Sequence, residues 1–392
     1  MNRLLNYVFF SVSLIFISCG TNNETVEPVD LTPTSISNTF GGSIDFNNLY
    51  NYSAQSIPDY IDSDNTGANT ITDEGATLGR VLFYDVNLSI DNTISCASCH
   101  KQENAFGDTD LVSQGVNGFT GRHSMRLVNT RFSEERRFFW DERANSLEDQ
   151  TTQPIRDHIE MGFSGSNGDP GFEDLIVKLE NLQYYSGLFT IAFGDSDITE
   201  ERMQQALGQF IRSIQSFDSR YDQGLSISNN LNNDFSNFGE LENLGKELFM
   251  APPGRGGAGC NACHSAPGFS IDPDSRNNGI VSVAGDPLAL DLTVTRAPSL
   301  RDIFNAEGDL NGSLMHDGSL STMLEVMDHY NEIDVDPSNN NLDNRLRGPG
   351  NMGQNLNLTE TEKEAIVAFI KTLSGSNIYS DEKWSDPFTN QN

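Results

Sequence analysis

The chain has 392 residues, 36% of them hydrophobic, which is enough for two domains with cores of their own and excludes disorder throughout. Its formal net charge of -32 excludes nucleic acid as a partner. Such a balance fits a solvated surface that keeps an exported protein soluble, or one that steers a basic partner protein.

From Asn2 and Arg3 an apolar stretch, Val8 to Ile17, leads to Ser18-Cys19-Gly20, the pattern of a secretory signal peptide over 1–18. It is too short to span a bilayer as a helix, and no later segment could do so. Cys19 resembles a lipoprotein processing site, which makes the protein exported, periplasmic and held to the membrane by a lipid on that thiol. Phe16 departs from the usual pattern, and ordinary cleavage nearby with an incidental cysteine is the alternative. Residues 19–64, polar and rich in Asn and Thr, are expected to form a flexible tether.

The four remaining cysteines form two pairs, Cys96-Ala97-Ser98-Cys99-His100 and Cys260-Asn261-Ala262-Cys263-His264. In such a pentapeptide the two thiols form thioethers with haem vinyl groups and the adjacent imidazole ligates the iron, so one c-type haem is expected at each. With five Cys and six His in the chain, random placement gives roughly 0.001 such motif per chain. A zinc site drawing on both pairs, or a thioredoxin-like dithiol, leaves the two histidines without a reason.

The hexapeptide Leu78-Gly79-Arg80-Val81-Leu82-Phe83 precedes the first motif, and Leu244-Gly245-Lys246-Glu247-Leu248-Phe249 precedes the second, as an internal duplication would leave them. Each closes an expected helix. Thr199 can cap a helix with Glu200 and Glu201 in its first turn and Met203, Leu207, Phe210, Ile211, Ile214 and Phe217 at helical spacing. Thr359 and Glu362 form a capping box ahead of Ile366, Phe369, Ile370 and Leu373, with Gly375 as the residue past the helix end. The reading is all-α, with the domain boundary in the Asn-rich stretch 229–237.

The order of motifs from about Thr72 to the last helix resembles the bacterial dihaem cytochrome c peroxidase and MauG family. It is carried by the two haem motifs, by Phe139-Trp140-Asp141-Glu142-Arg143-Ala144, Leu147, Gln150, Pro154 and Glu160-Met161-Gly162, and by His316-Asp317-Gly318 and Phe369 to Gly375. The resemblance implies two cytochrome c-like domains, a peroxidatic one over 65–228 and an electron-transfer one over 229–376, followed by a tail, 377–392. Haem on Cys96, Cys99 and His100 is then the peroxidatic centre, and haem on Cys260, Cys263 and His264 the one that receives electrons.

Trp140 matches the family's bridge between the haems, with core packing as its alternative, and Gln150 matches a residue of the peroxide pocket. Glu160 matches the catalytic glutamate. A distal carboxylate can take the proton from one peroxide oxygen and deliver it to the other, and burial beside haem would raise its pKa towards the working range. Arg143, Asp157 and His158 lie nearby in sequence, where salt bridges explain them as well as catalysis does.

Two departures from the family pattern stand out. Where typical peroxidases carry a distal histidine after a glycine, Gly115 is followed by Val116. Valine cannot ligate iron, so the first site is expected to be open. His123 is the nearest alternative ligand and is expected instead to be a loop hydrogen-bonding group. At the second site the family's spacing from His316 lands on Tyr330 in place of methionine, as in MauG-like proteins. Met323, Met327 and Tyr330 share a helix face, and Met327 is the alternative ligand. The resemblance also leaves room for one Ca2+ between the domains, on carbonyls near Asn311 and Ser313 and a side chain near His123 or Ser124.

The expected activity is reduction of hydrogen peroxide to water with electrons from a small donor protein, a cytochrome c or a cupredoxin. A MauG-like oxidase acting on side chains of a partner protein is the alternative, and a plain electron carrier is the third class.

Overall fold

The computed structural model describes residues 32–271 and 273–388. The expected signal peptide, Cys19 and the first part of the expected tether lie outside the described residues. Helices dominate, in accord with an all-α reading. They run in chain order as α1 (Thr34–Phe40), α2 (Asp73–Tyr84), α3 (Cys96–Cys99), α4 (Leu147–Arg156), α5 (Phe172–Glu180), α6 (Gln183–Phe193), α7 (Glu200–Ser213), α8 (Arg220–Ser228), α9 (Glu240–Met250), α10 (Met323–Asn331) and α11 (Glu360–Lys371). The strands are short antiparallel ribbons: β1 (Gln114–Gly115) with β2 (Gly118–Phe119), β3 (His264–Ser265) with β4 (Ser270–Ile271), and β5 (Ser282–Val283) with β6 (Asp286–Leu290). None of the described helices is long and apolar enough to cross a membrane.

The repeated hexapeptides sit in α2 and α9 and explain their own glycines. Thr72 accepts the Gly75 N–H at 3.0 Å to start α2, and Thr199 accepts the Arg202 N–H at 3.2 Å to start α7. These two helices pack so closely at Gly79 that a β-carbon there would stand 2.0 Å from the Ala206 carbonyl oxygen and 2.8 Å from Cβ of Phe210. Helix α9 meets α11 in the same way. A β-carbon on Gly245 would stand 1.8 Å from the Ala365 carbonyl oxygen and 2.9 Å from Cβ of Phe369. Each hexapeptide glycine therefore faces an alanine and a phenylalanine four residues apart.

Two hydrophobic cores surround these helix pairs. The first gathers Leu78, Val81, Phe83, Leu207, Phe210 and Ile214, and the second Phe249, Ile366, Phe369 and Leu373. Tyr221 and Leu225 of α8 belong to the second core, so the changeover falls between Ile214 and Tyr221, ahead of the expected boundary at 229. The Asn-rich stretch is instead a surface loop of the second core, where Leu231 and Asn233 offer their carbonyls to Lys246 Nζ at 2.7 and 2.6 Å. The expected C-terminal signal at Gly375 is also corrected: α11 ends at Lys371 with Thr372 as its cap, and Gly375 is small because Asp218 and Ser216 crowd it, its N–H donating to Asp302 at 2.8 Å.

Both ends of the described chain close on the first core. Residues 32–64 are not a tether: Ile36, Phe40, Ile44 and Tyr52 are fully or almost fully buried. Apolar residues spaced by four make that stretch amphipathic despite its polar composition. The expected tail is likewise structural as far as Phe388. Trp384 is buried in the first core and donates its indole N–H to Ser213 Oγ at 3.2 Å, and Arg80 of the first hexapeptide holds the Ser385 carbonyl at 2.6 Å.

Candidate active site

The first motif occupies the single turn α3, closed at its start by Ser98 Oγ, which accepts the Ser95 N–H at 3.0 Å. His100 follows at the end of that turn. Its Nδ1 lies 3.1 Å from the Phe106 carbonyl, an acceptor only, so the ring proton sits on Nδ1 and the Nε2 lone pair is left for a metal. Burial pushes the imidazole pKa down and keeps it neutral. Burial also raises the thiols, Cys96 to about 12 and Cys99 to about 11, and no disulfide joins any of the four described cysteines.

Cys99 and His100 open into a cavity of about 460 Å³ that Trp140, Gln150, Pro154 and Glu160 also line. Helix α4 supplies Gln150 and Pro154. Glu160 is held by a fold of the backbone around it: Asp157 Oδ1 accepts the N–H groups of Ile159 and Glu160 at 2.8 and 3.0 Å, and the Glu160 carbonyl accepts the Val116 N–H at 3.0 Å. Met161 is buried in the first core, and Gly162 takes φ +86° under Ile90. The motif thus anchors on either side of Glu160 and leaves its carboxyl facing the cavity. Gly115 has a local reason as well, since a β-carbon there would stand 2.2 Å from the Ile159 carbonyl oxygen. Burial, and secondly the Asp157 carboxylate, push the Glu160 carboxyl up to about 7, against the pull of Arg143.

Val116, where the distal histidine would stand, contributes only its backbone. His123 is a loop group: its Nδ1 donates to the Asp110 carbonyl at 2.9 Å, and its Nε2 lies 3.2 Å from where a β-carbon on Gly312 would stand. His158 pairs with Asp169 at 2.7 Å, and Arg143 pairs with Asp141 at 2.9 Å while its guanidinium lies 3.5 Å over the Phe139 ring.

The second motif has a different local form. Cys260–Ala262 make a 3-10 turn, and His264 begins β3, paired with β4. A cavity of about 420 Å³ brings Cys260, Cys263 and His264 together with Met323, Met327 and Tyr330 from one face of α10. His329 leaves that face, its Nε2 bonding to the Asn278 carbonyl at 2.9 Å. Burial raises the Tyr330 phenol, and Asn278 Nδ2 lies 3.3 Å from its hydroxyl and 3.3 Å from the Met315 sulfur. Met315 is a further sulfur on this cavity, absent from the expected ligands. Its place directly before His316 is the one signal it leaves in the sequence.

Trp140 lines both cavities. Its indole N–H donates to the His123 carbonyl at 2.8 Å, its own carbonyl accepts from Thr295 and Arg296, and its ring stands edge-on to His316 with centroids 6.2 Å apart. Two side chains near the position considered for Ca2+ have protein partners. Asn311 Nδ2 donates to the Asp302 carbonyl and the Tyr379 hydroxyl, and Ser124 shares a hydrogen with Ser113 at 2.9 Å. No cluster of three or more His, Cys, Asp or Glu suited to a metal occurs among the described residues.

Known proteins resemble this chain over most of its length. The family model described as di-haem cytochrome c peroxidase matches residues 73–230. The methylamine utilization protein MauG of Methylorubrum extorquens is 31% identical over 322 residues, 78% of this chain and 80% of its own. Cytochrome c551 peroxidase of Nitrosomonas europaea is 27% identical over 317 residues, 76% and 80% of the two chains. A crystal structure of a MauG-like protein associated with microbial copper homeostasis superposes with a TM-score of 0.65 at 26% identity, covering 86% of this chain and 99% of that one. The chain belongs to the di-haem cytochrome c peroxidase family, MauG included, and membership implies two c-type haems.

Proposed function

We propose that this chain is an exported peroxidase that reduces hydrogen peroxide to water at the first cavity, with electrons from a small redox protein entering through the second. Each cavity takes one haem, held by Cys96, Cys99 and His100 in the first and by Cys260, Cys263 and His264 in the second. The two together make a pair of cytochrome c-like domains descended from one by duplication, a reading supported by the matched Gly79 and Gly245 contacts. When bound, haem supplies the redox equivalents and an iron on which peroxide can be held.

The observation that carries the proposal is a carboxyl near neutrality, Glu160, in the same cavity as His100. A carboxylate whose pKa matches the working pH can accept the proton from the inner peroxide oxygen and return it to the outer one, so that the leaving oxygen departs as water. Gln150 lines the same space and can orient the peroxide. Trp140 spans the partition between the cavities and is the bridge for electrons. Export, with Cys19 lipidated, is part of the proposal and is supported by the apolar run from Val8 to Ile17 that precedes it.

A second reading is favoured by two specific observations. Val116 leaves the first site without a distal histidine, and Tyr330 faces the second motif. A phenolate is a hard anionic donor that favours oxidised iron, where methionine would favour ferrous iron. Both features fit a MauG-like oxidation of side chains on a partner protein. Steady-state turnover of peroxide with reduced cytochrome c separates the two. Sustained turnover is expected; its absence, together with a long-lived oxidised state after peroxide is added, would overturn the peroxidase reading in favour of the oxidase.

A further inference from the structure

Two arginines, Arg126 and Arg296, line both cavities. Each is fastened by one guanidinium nitrogen to a backbone carbonyl, Arg126 Nη2 to Ser299 at 3.1 Å and Arg296 Nη1 to Arg137. In both, the Nε–H is buried and has no hydrogen-bond acceptor. Neither side chain has a carboxylate within ion-pair distance among the described residues. Asp302 and Tyr379 act on Arg126 only through space, and Glu135 and Glu142, which attract Arg296, are bound to Arg137.

The other cations of these cavities are accounted for. Arg122 is paired with Asp141 and Asp291, Arg143 with Asp141 and Arg345 with Asp343, while Arg276 is exposed. Arg126, half-buried, and Arg296, buried, thus remain as cations each with a buried, unused donor. Leaving a buried charge uncompensated is unfavourable, and a guanidinium matches a carboxylate in geometry as well as in charge.

On the reading that each cavity holds a haem, which brings two carboxylates on its propionate edge, we infer that Arg126 and Arg296 form a shared cationic partition that receives propionates from both haems. The same two charges then act on both irons. A fixed positive charge disfavours the ferric form relative to the ferrous, so each arginine holds both midpoint potentials up.

The test uses the haem-loaded protein. Mass spectrometry of the unaltered chain first counts covalent haems; fewer than two would overturn the dihaem reading itself, apart from this inference. Spectroelectrochemistry of R126Q and R296Q, each with both haems attached, should then show the potentials of both haems lowered in each variant. Unchanged potentials, or a shift confined to one haem, would overturn the inference. Should the glutamine variants not fold, R126K and R296K keep the charge and lose the fork. Resonance Raman propionate-bending bands should then shift for both haems, and unshifted bands would overturn it.

Discussion

Trp140 gives its indole N–H to the carbonyl oxygen of His123 at 2.8 Å. His123 in turn gives its backbone N–H to the His316 carbonyl at 2.7 Å, and the His316 ring stands edge-on to Trp140. The indole is held between the two cavities by a backbone acceptor that does not titrate.

Replacement of Trp140 by Phe should keep the packing and both haems but leave the His123 carbonyl without its donor, at a stability cost of about 1 kcal/mol. Electron passage between the sites should slow by at least about tenfold, a barrier increase of ~1.4 kcal/mol. Stopped-flow reduction followed at the two haem spectra measures it, and an unchanged rate would assign Trp140 to packing alone.

Glu160 sets a pH dependence with a definite sign. Its carboxyl ionises at about 7 and must be ionised to accept a proton. The rate constant kcat/KM for peroxide should therefore fall as pH drops through 7, by about tenfold per pH unit on the acid limb. Glu160→Gln should retain haem and lose both the rate and that limb. A Gln variant with the parent profile would remove Glu160 from proton transfer.

The second cavity offers an oxygen and two sulfurs on α10. With Tyr330 as the ligand, Tyr330→Phe should abolish the phenolate charge-transfer absorption of the ferric protein and raise the potential of that haem, whereas Met327→Leu should leave both unchanged. The opposite pattern would make Met327 the ligand. Absorption and EPR spectra of the two variants decide it.

The helix crossings at Gly79 and Gly245 have no room for a methyl group. Gly79→Ala or Gly245→Ala should lower stability by roughly 3 kcal/mol or more through forced separation of the paired helices. Gly254, where a β-carbon would meet nothing within 4 Å, is the control, and its alanine variant should stay within about 0.5 kcal/mol. Thermal denaturation of the three proteins is sufficient.

What the sequence made legible, and what it did not, follows from how each residue signals. Thr199 and Thr359 announce their helices because caps act locally, and the haem motifs announce themselves because attachment needs thiols and imidazole at one spacing. Residues 32–64 misled because composition outweighed Ile36, Phe40 and Ile44. The boundary at 229 misled because an Asn-rich loop resembles a linker whether it joins two cores or edges one. Arg126 and Arg296 gave no signal at all, since an arginine buried by distant segments reads in sequence like one on the surface. Their lack of a carboxylate partner needed three-dimensional neighbours to be seen.

Trp384, which follows the second core in sequence, is buried in the first: its indole N–H donates to Ser213 Oγ and its carbonyl accepts from the Tyr84 hydroxyl. The first core is therefore not completed by the first half of the chain alone, because it takes Trp384 from beyond the second core.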